Sequence, residues 1–214
     1  MKVSRNDIER LPRIKRLNLI NSITGIKPAN LLGTKNLENN ICNLSIISSV
    51  VHLGSDPSLM GFILRPQLPG PKDSYLNIMS NKTFTLNQVP KFMIENAHYT
   101  SAKFPPEISE FERCGFTEEY LEGFNTPFVR ESTLKIGLTY EDEKFIKQNN
   151  TRLIIGKVEW ILFDDQALDE DYTLNLEKLE NVGIGGVNTY YNVSRISSFP
   201  YAHLKSVPNN ICKK

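Results

Sequence analysis

From Asn43 to Pro57 the chain reads Asn-Leu-Ser-Ile-Ile-Ser-Ser-Val-Val-His-Leu-Gly-Ser-Asp-Pro. Small hydroxyl residues stand at the end of an apolar, β-branched run, and a histidine, a glycine and a proline follow. Small side chains let a ligand lie flat against the backbone. Their hydroxyls and the neighbouring amides can hydrogen-bond a planar heterocycle. About sixteen residues beyond Ser49 comes Arg65-Pro66, and Lys72-Asp73-Ser74 then opens a short helix. An arginine and a hydroxyl at a helix N-terminus suit a phosphate. A second reading of the same residues stands beside this one. It makes Ser48 and Ser49 ordinary strand residues, Arg65 a salt-bridge partner and Ser74 a helix cap.

Other chemistries find little support. No GxSxG elbow and no GxxxxGK[ST] loop occurs, which removes the usual signals of a serine hydrolase and a P-loop enzyme. Gly183-Ile184-Gly185-Gly186 is glycine-rich, but Asn188 stands where a dinucleotide fingerprint needs its third glycine. The acidic run Asp164, Asp165, Asp169, Glu170 and Asp171 lacks the glycine and spacing of a Ca²⁺ loop and reads as a solvated segment. The histidines are His52, His98 and His203. His98, in a helical stretch, reads either as a site residue or as a satisfied, partly buried histidine, and His52, just after the Ser-Ser pair, reads as a site residue. His203, near a polar terminus, reads as inert. Cys114, three residues from Phe111, reads as a small core residue.

The sequence has 214 residues, with 25 Lys plus Arg against 24 Asp plus Glu. A net charge of +1 argues against a dedicated nucleic-acid binder. No apolar run follows the basic start Lys2 to Arg16, and no stretch approaches the ~18 apolar residues of a membrane helix. Cys42, Cys114 and Cys212 are odd in number and form no CxxC pair. The expectation is a reduced, cytoplasmic protein with no membrane association.

The elements that must position these residues read mainly as short strands. They are Ala29 to Thr34, Cys42 to Val51, Leu59 to Leu64 and Thr83 to Val89. In Thr133 to Tyr140, the alternation puts Leu134, Ile136, Leu138 and Tyr140 on one face. Thr151 to Phe163 puts Ile154, Val158, Trp160 and Leu162 on one face, with a bulge expected at Gly156. Helices are expected at Lys72 to Ser80, Lys91 to Ser101 and Glu107 to Cys114. Further helical turns are expected at Glu118 to Glu122 and Asn175 to Asn181. The lack of strict strand–helix alternation excludes a doubly wound sheet and favours a mainly β fold, a small barrel with helical insertions.

The order of several motifs resembles the flavin reductase-like family, whose fold is the FMN-binding split barrel. The resemblance runs through Ile26 to Thr34, Asn43, Ser48 to Pro57, Gly61 to Pro66 and Asp73 to Ile78. It continues through Phe84 to Asn87, Ala97 to Phe104, Pro127 to Val129, Lys135 to Gly137, Ile155 to Val158, Tyr190-Tyr191 and Tyr201-Ala202. It implies an N-terminal extension over residues 1–17, a split β-barrel domain over 18–203 and a tail over 204–214. It implies one non-covalent FMN per subunit of a homodimer. Ser48, Ser49, Val50 and His52 would line the isoalloxazine and ribityl chain, Arg65 and Ser74 would sit near the phosphate, and Asn87, His98, Ser101 and Lys103 would complete the pocket. The chain departs from the family at Ser109-Glu110-Phe111, where many members carry an Asp-Lys-Phe or Ser-Lys-Phe triplet. A basic group that would attract NAD(P)H is therefore absent there.

The expected activity is that of an FMN-dependent oxidoreductase, a flavin reductase taking hydride from NAD(P)H. The alternatives are a flavoredoxin-like electron-transfer protein, with a redox partner protein in place of the pyridine nucleotide, and a flavin-binding protein without turnover. The face of Ile154, Val158, Trp160 and Leu162 is expected to need cover from a second copy. The competing possibility is that Asp164 to Glu180 folds back over it.

Overall fold

The computed structural model describes residues 1–66 and 73–207. Two helices lead, α1 (Arg5–Arg10) and α2 (Arg13–Ser22), and neither buries a residue. The strands β1 (Lys27–Pro28), β2 (Asn30–Lys35), β3 (Cys42–Ile47), β4 (Val51–Ser55) and β5 (Ser58–Leu64) follow. Next come α3 (Asp73–Asn81), β6 (Thr83–Gln88), a 3-10 turn over Lys91–Met93, α4 (Ile94–Tyr99) and α5 (Glu110–Arg113). The hairpin β7 (Glu118–Leu121) and β8 (Phe124–Val129) precedes two long strands, β9 (Leu134–Ile146) and β10 (Thr151–Phe163). A short hairpin, β11 (Val182–Gly185) and β12 (Thr189–Asn192), is the last pair of strands.

Seven strands form one antiparallel sheet in the order β3-β2-β6-β9-β10-β5-β4. Its two edge strands, β3 and β4, are consecutive in the chain and are joined only by Ser48, Ser49 and Val50. Strands lie about 4.8 Å apart, so a flat sheet would separate these edges by roughly 29 Å. The connector can span only about 14 Å. The sheet must therefore roll up, and it does so without a β3–β4 ladder. At the seam the Ser49 hydroxyl donates to the Ile63 carbonyl at 3.2 Å and accepts from the Ile63 N–H at 3.0 Å. The result is a split barrel, mainly β and not fully closed.

The rolled sheet holds one core of Leu32, Phe62, Ile78, Phe84, Leu86, Leu138 and Ile154. A second core, including Leu31, Leu44, Val89, Ala97, Phe111 and Cys114, lies under α4 and α5. Leu31 and Leu32 serve different cores, which is why β2 reads as a continuous apolar run rather than an alternating one. Cys114 is the small core residue its spacing from Phe111 implied.

Several sequence expectations need correction. The strand expected over Cys42 to Val51 stops at Ile47, because the connector leaves the sheet there. The helix expected over Glu107 to Cys114 shortens to α5. The stretch Lys91 to Ser101 divides into a 3-10 turn and α4. Glu118 to Glu122 is β-structure, because β8 offers it a ladder from Glu118 to Leu121. Asn175 to Asn181 forms turns rather than a helix.

The bulge at Gly156 is present, and a second shift in register falls between Val158 and Trp160. That second shift breaks the expected single face. Ile154 is fully buried inside the barrel, Val158 packs against the same core, and Trp160 is exposed. The acidic segment does fold back in part: Ala167 and Leu179 pack on Leu134, with Phe163 beside them. Among the described residues no helix is long and apolar enough to cross a membrane.

Gly33 shows how closely the barrel wall is built. A Cβ there would lie 2.3 Å from Thr85 Oγ1 and 2.8 Å from the Pro127 carbonyl oxygen. Neither neighbour is the loose end of a flexible side chain. Gly33→Ala is expected to cost about 1–3 kcal/mol by overpacking. Urea unfolding checks this, and an unchanged midpoint would contradict it.

Candidate functional site

An edge strand exposes a row of N–H and C=O groups that need partners. On β3 those partners are side chains from the helical insertions. The Leu44 N–H donates to Glu110 Oε2 at 3.0 Å, and the Ile46 N–H donates to Thr100 Oγ1 at 2.9 Å. Ser109 Oγ donates to the Cys42 carbonyl at 2.7 Å. The next amide in that alternation belongs to Ser48, where the strand ends and the connector begins. Ser48, Ser49 and Val50 are half-buried. Their backbone polar groups lie outside the strand ladders at the seam, while the Ser49 hydroxyl is held by Ile63 and Val50 packs against the barrel core.

α3 is docked beside this edge by two amide–hydroxyl bonds. Asn43 Nδ2 donates to Ser74 Oγ at 3.0 Å, and the buried Asn77 Nδ2 donates to Thr34 Oγ1 at 3.2 Å. Arg65 directly follows β5 and is exposed. Leu64 pairs in register with Arg152, whose guanidinium lies 5.3 Å from the Tyr75 ring centroid. Tyr75 also donates its hydroxyl to Glu143 at 3.3 Å, and Glu143 is ion-paired with Arg152. This brace brings the first turn of α3 beside the end of β5. Arg65 and Ser74 thus stand at the same end of the barrel, and Ser49 is tied to Ile63, two residues before Arg65. Lys72 lies outside the described residues.

The remaining candidates divide. His52 is exposed on β4, opposite Met60. His98 Nδ1 lies 3.2 Å from the Tyr190 hydroxyl, and the two rings meet edge to face at 6.0 Å, tying α4 to β12. Burial raises the Tyr190 phenol above its usual range, so it remains a neutral partner. Ser101 is exposed and donates to the His98 carbonyl at 2.7 Å, and Lys103 is exposed. Asn87 faces inward with no exposed surface. Its Nδ2 donates to the Leu31 carbonyl and Thr85 Oγ1, at 3.1 and 2.9 Å, and its Oδ1 accepts from the Val129 N–H at 3.0 Å. Its amide braces the barrel wall.

Sequence reasoning did not single out Thr100, Tyr75, Glu143 or Arg152. Burial pushes the Cys42 thiol up to about 11, so it stays protonated beside Tyr120 and offers no nucleophile. A narrow cleft lined by Asn43, Asp73, Asn77 and Glu110, among others, opens at the start of α3.

A family model described as the flavin reductase like domain matches residues 28–183. The chain belongs to the flavin reductase like family. A solved structure from Shewanella frigidimarina, assigned as a flavin reductase with split barrel domain, has a TM-score of 0.90 and 39% identity to this chain. The match covers 94% of this chain and 100% of that one. The fold is shared at lower identity with nitrilotriacetate monooxygenase component B from Bacillus cereus. There the TM-score is 0.81 and the identity 16%, over 93% of this chain and 98% of the other. A protein of Aquifex aeolicus is 31% identical over 116 residues, which span 54% of this chain and 58% of that relative's length.

Within Ser109-Glu110-Phe111, the Glu110 side chain is turned to the β3 edge. It is buried and holds that edge. Burial pushes its carboxyl above the usual range, and the bond from Leu44 opposes that shift. A carboxyl with a raised folded pKa binds its proton more tightly when folded. The stability it contributes is full below its unfolded value, about 4.3, and falls as pH rises through the folded value. Glu110→Gln keeps an acceptor for Leu44 and removes the titration, so it should flatten this slope. Glu110→Ala leaves the Leu44 N–H unpaired and should cost about 1–3 kcal/mol. Urea denaturation across pH tests both, and identical slopes for wild type and the Gln variant would contradict the assignment.

Proposed function

We propose that this flavin reductase-like protein binds FMN non-covalently and uses it to accept hydride from NAD(P)H. The observation that carries the reading is the Ser48–Val50 connector, an unladdered stretch of small residues at the barrel seam with Arg65 and Ser74 at one end of the same barrel. The residues present fit such a group. The connector offers the Ser48 hydroxyl and backbone polar groups to a planar ring, with Ser49 holding the connector in place through Ile63. Arg65 and the first turn of α3 offer a cation, a hydroxyl and helix amides to a phosphate.

Ser48, Ser49, Val50 and His52 would position the ring and its side chain, and Arg65 and Ser74 would hold the phosphate. His98, Ser101 and Lys103 on and after α4 would close the site beyond the braced edge of β3. Bound flavin supplies the redox chemistry. The chain's own residues bind it, orient it and limit access to it. No side chain is assigned as acid or base.

The reading includes a homodimer in a reducing cytoplasm. Val51, Leu53, Phe145, Trp160 and Ile161 are exposed apolar residues on strands of the main sheet. Cys42 and Cys114 are free thiols. Both features support those proposals.

Steady-state NAD(P)H oxidation with added FMN tests the activity. Rapid turnover is expected. A bound flavin that can be reduced chemically but not by NAD(P)H would overturn the reductase reading in favour of an electron-transfer flavoprotein, served by a redox partner protein.

The phosphate assignment has its own test. Arg65→Ala removes a charge-assisted contact of roughly 1.5–3 kcal/mol, so FMN affinity should fall about tenfold to a hundredfold. Riboflavin, which lacks the phosphate, should bind wild type and variant alike. Equal losses for both ligands in a fluorescence titration would contradict the role given to Arg65.

A further inference from the structure

Beyond β12 the chain leaves the barrel as an arm whose root is fixed. The Arg195 N–H donates to Glu177 Oε1 at 3.0 Å, and its guanidinium reaches Asp169 Oδ2 at 3.1 Å. Past this anchor four large, mainly apolar side chains are nearly bare. Ile196 is 98% exposed, Phe199 87%, Tyr201 83% and Leu204 91%. Single exposed hydrophobic residues are ordinary on any protein surface, but a dense run of large ones marks an interaction surface. The arm also has local order without burial. The Tyr201 and His203 rings lie 5.1 Å apart, and Ser206 Oγ accepts from the His203 N–H at 3.1 Å, closing a short turn.

We propose that residues 196–204 pack reciprocally on the body of a second copy of this chain and close the homodimer. The inference rests on the dimer proposed above and names the segment that makes it. Three observations favour a second copy as the occupant. First, the area is sufficient. Phe199 and Tyr201 offer about 150–250 Å² each. With Ile196 and Leu204, each arm can remove on the order of 600–800 Å² from water, close to the ~800 Å² per partner of a standard interface. Second, the body carries its own exposed apolar residues, Val51 and Leu53 on the edge strand β4 and Trp160 and Ile161 on β10. Third, the arm bears no acidic residue from Ile196 to Val207, so no carboxylate would be drawn from water when it docks. A two-fold exchange satisfies both arms with one kind of contact.

The test uses the full chain, a full-length Phe199→Asp/Leu204→Asp variant and a chain ending at Arg195. None of these changes touches the buried cores, so the far-ultraviolet spectrum should be preserved. Light scattering over a dilution series from micromolar to nanomolar follows the mass. Wild type is expected at twice the 24.4 kDa chain mass. Both altered chains should dissociate at concentrations at least a hundredfold higher than wild type. A dimeric wild type with the same dissociation midpoint in all three chains would overturn the arm's role and leave the dimer standing. A wild type that stays at 24.4 kDa throughout would overturn the dimer and the arm together.

Discussion

Three residues, Ser48 to Val50, join two strands that lie at opposite edges of a seven-stranded sheet. A link of roughly 14 Å cannot cross a flat sheet roughly 29 Å wide, so this covalent tether dictates the roll of the barrel. It also dictates the split. The connector sits where a β3–β4 ladder would otherwise close the sheet, and a single serine hydroxyl spans the gap to Ile63. The same residues therefore define the fold and leave backbone polar groups available at its seam.

A seam of this kind is useful to a ligand only if its edges are held still. The edge of β3 is held by Glu110, Thr100 and Ser109 from the helical insertions, and α3 is held by Asn43 and Asn77. Behind the seam, Asn87, Thr85 and the absent side chain of Gly33 let the wall of the barrel close with its polar groups paired. Polar residues that look like candidate ligand contacts in sequence thus divide into two kinds. Ser48 is half-buried in the connector, whereas Asn87 is fully buried and braces the barrel wall. Each buried polar group must be paired, and pairing takes them out of reach of a ligand.

Much of this was legible in the sequence. Thr151 to Phe163 was readable to the residue, including its bulge, because the strand has a glycine where Phe84 crowds the backbone. The ends of β5 and β6 were marked by Arg65-Pro66 and by Pro90. The split-barrel class followed from motif order. What escaped depends on partners distant in the chain. Glu118 to Leu121 has helix-forming residues and is a strand because of β8. β9 continues through Glu141 to Lys144, where charge hid a strand carried into solvent by its pairing with β10. The α1 and α2 helices bury nothing, so no apolar stripe announced them. At the site, the Ser-Ser connector was visible locally. The braces from Thr100 and Glu110 reach across 54 and 66 residues, and no local pattern encodes them.

Family membership and the barrel's geometry therefore meet at one short segment. If the connector is where the flavin lies, its amides must lose contact with water when the cofactor binds. Amide hydrogen exchange at residues 48–50, measured on apoprotein and on protein saturated with FMN, is the direct test. The account predicts slowing of at least about tenfold at these residues, larger than at the exposed helix α2. Unchanged exchange at residues 48–50 while flavin fluorescence reports full binding would place the cofactor elsewhere and contradict the account.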